Sequence, residues 1–239
     1  MTESTRVFRL HESAFLALDG MSLGTAISVA SDNKERFLGV KVNDALIGEV
    51  GATTLIEILK EYGHVFADPK LHDIPNTVAN SVAKFTRAGA SLITVHTTGG
   101  REMMRAAVKA FDDNGGTDFG ILGVTVPTSL SDRQCVEMYG MRRLEKVLQL
   151  AGFALESGLW GVVCAANEVR EISEKFPDLR TVVPGTRLPG GNAHDQKNIE
   201  TTLFAYESGA TVTIIGRDYL SHANPQERYL EYRKHLGDL

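Results

Sequence analysis

The sequence predicts an α/β protein: a closed (β/α)8 barrel folded as a single domain over residues 1–239. Three observations carry that expectation. Eight short apolar runs alternate with amphipathic stretches from one end of the chain to the other. Most of the runs are rich in Val and Ile without strict alternation, as parallel strands buried on both faces must be. The length, 239 residues, suits eight such units in one barrel of about 250 residues.

In chain order the candidate strands are AFLALD (14–19), FLGVKV (37–42), HVFADPK (64–70) and SLITVHT (91–97). GILGVTV (120–126), GVVCAA (161–166), RTVVPG (180–185) and TVTIIGR (211–217) complete the set. Between them, ATTLIEILKEYG puts Leu55, Ile58 and Leu59 on one helical face and closes on Gly63, a C-cap residue. NTVANSVAKFTRAGA, REMMRAAVKAFDD and NEVREISEKF follow the same pattern. MRRLEKVLQLAGFALESG forms a longer helix, and PQERYLEYRKHL closes the chain. The alternative architecture is an open doubly wound sheet, yet neither G-x-G-x-x-G nor G-x-x-x-x-G-K-[ST] occurs. No linker or low-complexity tract divides the chain.

Composition narrows the function classes. Apolar residues make up 43% and charged residues 23%, enough for a sizeable core. The net charge is −5 and no dense Lys/Arg run occurs, which argues against nucleic-acid or anionic-membrane partners. A small anionic substrate held by a few placed cations remains open. The two cysteines, Cys135 and Cys164, form no CxxC or zinc spacing and sit among apolar neighbours, as buried reduced thiols do. MTESTRVFRLHES has no apolar core of signal-peptide length, and no run approaches the roughly 20 apolar residues of a membrane span. The expectation is a cytoplasmic protein.

Active sites of such barrels lie at the C-terminal ends of the strands. Those ends carry Asp19, Lys41, Asp68, Lys70, His96, Thr97, Thr125, Arg187 and Arg217. As a set, so many ionisable groups at one rim favour a site over scattered solvated residues. In DPKLHDIPNTV, Asp68 and Lys70 are two apart, so on a regular strand they leave the same face about 6.6 Å from one another. Lys41, on the neighbouring strand, can reach Asp68 from the other side. An alternating array of Lys41, Asp68, Lys70 and another acid keeps each charge ionised in a dry site. A purely structural ion network is the competing account. Pro69 removes a ladder donor, which is tolerated near a strand's end.

A second cluster lies after strands seven and eight, where barrels commonly bind phosphate. PGTRLPGGNAHDQ puts Arg187 at the start of a Gly/Pro-rich loop that ends at Gln196, a segment suited to a lid over an anion. IIGRD adds Gly216, where backbone can approach a ligand, and Arg217, a planar fork of donors. An ordinary flexible loop with a surface arginine is the plainer alternative. His72 and His96 lack the spacing of a metal pair and count as structural or supporting groups, and no metal is expected. Thr77 is a candidate cap for the helix that follows it.

DPKLHDIPNTV resembles the D-x-K-x-x-D-I-P-N-T signature of the orotidine 5′-phosphate decarboxylase family, particularly its bacterial type. LALD, the VK of the second strand, VTVPTS, GVVCAANE, VVPGTR and IIGR extend the resemblance in order along essentially the whole chain. It implies a cofactor-free carboxy-lyase of pyrimidine biosynthesis that converts orotidine 5′-monophosphate to UMP and carbon dioxide. Lys70 matches the lysine that protonates C6, and Asp68 the acid beside the departing carboxylate. Lys41 and Asp73 complete the array, with Asp73 acting from the partner subunit of a homodimer. Asp19 matches a ribose contact with Thr77 near it, and Thr128 a pyrimidine contact. Gln196, Gly216 and Arg217 match the phosphate grip, with Arg187 at the base of the lid. Two positions depart from the pattern: Pro69 replaces an apolar residue, and His194 stands where glycine is common.

Two other functions remain in view. A magnesium-dependent sugar-phosphate decarboxylase such as 3-keto-L-gulonate 6-phosphate decarboxylase resembles the same barrel, though VTVPTS and HDIPNT discriminate against it. A catalytically silent phosphate-binding barrel is the non-enzymatic alternative, opposed by the retained lysines and acids.

Overall fold

Eight parallel strands close on one another in sequence order in a computed structural model that describes residues 7–190 and 200–239. They are β1 (Ala14–Ala17), β2 (Gly39–Asn43), β3 (His64–Leu71), β4 (Ala90–His96), β5 (Gly120–Val124), β6 (Gly161–Val163), β7 (Arg180–Val183) and β8 (Val212–Ile215). β1 pairs with both β2 and β8, which closes the (β/α)8 barrel. All eight expected strands are present, most of them trimmed at the ends.

The burial pattern explains why the strands lack alternation. In β1 every residue is buried. Phe15 and Ala17 pack inside the barrel with Phe66, Leu92, Leu122 and Ile214, while Ala14 and Leu16 pack outward against the helices. A strand with two apolar environments has no polar face to offer. Gly39 permits the close approach of β2 to β3, since a Cβ there would lie 2.0 Å from the His64 carbonyl oxygen.

Helices follow the expected order, with local corrections. The Ala52–Leu59 helix buries Leu55, Ile56 and Leu59; Ile58, expected on that face, is only half-buried because the core-facing arc lies one step earlier. Gly63 follows a short 3-10 turn and takes φ 128°, a conformation suited to glycine. The helix Pro75–Ala88 starts at Pro75 with Ile74 as its cap residue, so Thr77 lies inside the first turn and does not cap it. Further helices at Leu23–Asn33, Asp44–Val50, Asp132–Tyr139 and Thr202–Glu207 fill intervals left unassigned by the sequence pattern. No helix among the described residues is long and apolar enough to cross a membrane.

β3 departs from regular geometry where the site begins. Ala67 pairs with Ile93 and Leu71 with Val95, so four steps along β3 oppose two along β4. The extra residues bulge at Asp68–Lys70, and Lys70 takes φ 48°, rare outside glycine and costing about 1–2 kcal/mol. The regular-strand spacing expected for Asp68 and Lys70 is therefore replaced by a bulge. Buried Thr94 on β4 holds it: the Lys70 N–H donates to Thr94 Oγ1 at 2.9 Å, and that hydroxyl donates to Asp68 Oδ1 at 2.9 Å.

Candidate active site

A cavity of about 650 Å³ opens at the C-terminal ends of the strands, and all eight strands or the loops after them line it. β2 alternates, with Val40 and Val42 packed outward and Lys41 and Asn43 lining the cavity. Lys41 Nζ lies 3.1 Å from Asp19 Oδ1 and 3.2 Å from Asp68 Oδ2. Lys70 Nζ lies 2.9 Å from the same Asp68 Oδ2. The groups form an alternating row, Asp19–Lys41–Asp68–Lys70.

Asp68 is the centre of this row. One carboxylate oxygen accepts from two ammonium groups and the other from Thr94, so the buried acid is well satisfied. The side chains of Lys41 and Asp68 are 8% and 11% exposed, whereas Lys70 is 41% exposed and faces the open cavity. Burial works against the charge of Lys41 more than any other single influence, yet attraction and hydrogen bonds from Asp68 and Asp19 together outweigh it. The net result is a lysine whose pKa lies above its ordinary value, and the ammonium persists in a nearly dry place.

Other expected residues divide clearly. Thr128, Arg187, Gly216 and Arg217 line the same cavity as the charge row. Arg187 is buried and donates to the Gly185 carbonyl, while Arg217 is exposed just beyond β8, on the neighbouring strand. Asp73 does not join the row within its own chain; it is exposed, and its carboxylate accepts the Ile74 N–H at 2.6 Å. The fourth charge of the row within one chain is Asp19, at the Lys41 end. Thr77 is exposed and lies outside the cavity lining. Gln196 and His194 lie outside the described residues.

Thr97 and Thr125, two of the strand-end candidates, serve the barrel instead: they donate to the carbonyls of Val124 and Val163 on neighbouring strands. His96 lines the cavity with its ring 5.3 Å from that of His72. Burial first, then the nearby His72 and Lys70 charges, lower its pKa against the pull of Asp68. Cys135 and Cys164 are both buried and free, and burial pushes both thiols up, away from nucleophilic chemistry.

Sequence reasoning missed Thr94, although a threonine inside an apolar run signals a buried hydroxyl that needs partners. It also missed Arg143 and Glu168, a buried ion pair behind the cavity wall at 2.6 Å.

Known proteins resemble this chain along most of its length. Residues 13–232 match the model of the Orotidine 5'-phosphate decarboxylase / HUMPS family. The chain belongs to this family. A relative from Geobacillus kaustophilus named orotidine 5'-phosphate decarboxylase is 39% identical over 211 residues, covering 82% of this chain and 86% of its own. One of the same name from Paramagnetospirillum magneticum is 35% identical over 230 residues, covering 93% and 97%. The crystal structure of orotidine 5'-phosphate decarboxylase from Lactobacillus acidophilus superposes with a TM-score of 0.77 at 31% identity, over 94% of this chain and 98% of that one. Within an orotidine 5'-phosphate decarboxylase / HUMPS barrel, the charge row and the β8 arginine sit at the end where barrel chemistry takes place.

Proposed function

We propose that the chain decarboxylates orotidine 5′-monophosphate to UMP and carbon dioxide without a cofactor, as one cytoplasmic barrel unit in de novo pyrimidine biosynthesis. The observation that carries this reading is the Asp19–Lys41–Asp68–Lys70 row in a cavity that also holds Arg217. In the reaction the bond between C6 and the carboxylate carbon breaks. Carbon dioxide leaves, and the electron pair left on C6 takes a proton from Lys70 Nζ. Solvent then restores the ammonium.

Each member of the row has a distinct part. Two ammonium groups near one carbon stabilise the charge that develops there, and fixed charges need no reorganisation as the reaction proceeds. Lys70, open to the cavity, is the proton donor; Lys41, tied between two acids, supplies lasting positive charge. Asp68 cannot swing away from the departing carboxylate, because Thr94 and both lysines hold it. Like-charge contact there raises the bound substrate relative to the transition state.

The remaining substrate is bound farther out. Gly216, Arg217 and Gln196 grip the phosphate, and Arg187 anchors the lid over it. That remote binding energy offsets the cost of desolvating the reacting end. Asp19 contacts the ribose and Thr128 the pyrimidine. Asp73 and Thr77 lie outside their own chain's cavity, so a part for them requires a second copy, which supports a homodimer with Asp73 contributed across the interface.

An ultraviolet assay for loss of orotidine 5′-monophosphate, with and without EDTA, tests the reading. Turnover that is indifferent to EDTA is expected. No turnover, or activity that vanishes in EDTA and returns with magnesium, would contradict it.

A further inference from the structure

The loop after β5 forms one wall of the cavity through Val126, Pro127, Thr128 and Ser129. It has left the sheet, so strand pairing no longer fixes its backbone. Arg143 braces it from behind. Arg143 is the first residue of the helix Arg143–Glu156. Its Nη1 donates to the carbonyls of Pro127 at 2.8 Å and Leu130 at 3.0 Å. Its Nη2 donates to the Val126 carbonyl at 3.3 Å, and its Nε to Glu168 Oε1 at 2.6 Å. The other Glu168 oxygen accepts the Ala165 N–H at 2.8 Å, just beyond β6. The guanidinium thus staples the loop of one strand to the end of the next.

Arg143 is 9% and Glu168 3% exposed, and neither lines the cavity. The pair can influence a ligand only through the wall it holds. A planar fork is required, because three carbonyls and a carboxylate must be met at fixed angles, and a lysine ammonium cannot span them all. Without it the Val126 and Leu130 carbonyls lose this donor, the Pro127 carbonyl keeps only the Leu130 N–H at 3.0 Å, and the loop must move to satisfy them.

We propose that Arg143, oriented by Glu168, is a positioning residue that sets the wall against which the nucleobase packs, and so governs affinity for the base and not for the phosphate. This rests on the nucleotide reading of the cavity, with the base beside Thr128 and the phosphate at Arg217.

Calorimetric titration with UMP and with ribose 5-phosphate separates the two contributions. Folded Arg143→Met is expected to lose about tenfold or more in UMP affinity while binding ribose 5-phosphate as the wild type does. Arg143→Lys should recover part of that loss. Glu168→Gln, which keeps the shape and an acceptor for Ala165, should show a selective loss of about threefold, and it carries the test if Arg143→Met fails to fold. Unchanged UMP affinity, or equal losses for both ligands, would overturn the positioning role. Wild-type protein that binds ribose 5-phosphate but not UMP would overturn the nucleotide reading and this inference with it.

Discussion

Two buried ion pairs among the described residues are of opposite character, Lys41–Asp68 at the cavity floor and Arg143–Glu168 behind its wall. In the first, an open lysine shares the acid, and the favourable partners outweigh burial, so Lys41 is held charged. In the second, burial is the largest influence on Glu168 and raises its pKa despite Arg143 alongside. Charge is therefore favoured at the floor and merely tolerated at the wall. Burial alone does not mark chemistry; what matters is whether a charged group still faces open space. The wall pair supplies geometry, the best-supported use of a buried ion pair that adds little stability.

The largest way to break this comparison is Lys70→Ala. Its kcat should fall by about a thousandfold, the worth of a positioned proton donor plus one fixed charge, while a folded protein still binds UMP. Near-normal turnover would remove Lys70 from the chemistry. Lys41→Met should hurt both activity and stability, lowering the latter by about 2–3 kcal/mol in denaturant titration, because Asp68 loses one of its two ammonium partners. Thr94→Val removes the hydroxyl that joins both ends of the β3 bulge. A stability loss of about 1–2 kcal/mol is expected from the unmade hydrogen bonds, with slower turnover and unchanged UMP affinity. Smallest of all, Glu168→Gln should cost less stability than Lys41→Met in the same denaturant titration, because the amide oxygen still accepts the Ala165 N–H and Arg143 keeps its three carbonyl partners. A large loss there would erase the contrast between the pairs.

The barrel was legible because parallel strands buried on both faces leave unmistakable Val/Ile runs, and polar residues at most of the strand ends named the rim. Less visible were helices with weak apolar faces. Asp132–Tyr139 is announced by its cap, where Ser131 and Gln134 bond reciprocally, and not by its periodicity. Leu23–Asn33 likewise starts from Ser22, whose side chain accepts the Thr25 N–H. At the site, the residue types in DPKLHD pointed to Asp68 and Lys70, which do meet at 2.9 Å, but by way of a regular strand. The bulge that brings them together depends on Thr94, a cross-strand partner 24 residues from Lys70. Arg143 stayed hidden because nothing in MRRLEKV distinguishes it from Arg142; only the fold decides which arginine turns inward. Asp73 shows the converse, a residue type read from a motif whose geometry in one chain leads away from the cavity.

The measurement that reaches the central claim most directly is a pH titration of the 15N-labelled lysine ammonium groups by NMR, with Lys41 assigned by its absence in Lys41→Met. Lys41 should hold its proton beyond the usual lysine value of about 10.4. Because the folded value lies above the unfolded one, the stability this group contributes is complete below about 10.4 and is lost as the pH rises through the folded value. A Lys41 that titrates at or below the ordinary value would mean that the two acids do not hold it charged, and the charge row could not act as described.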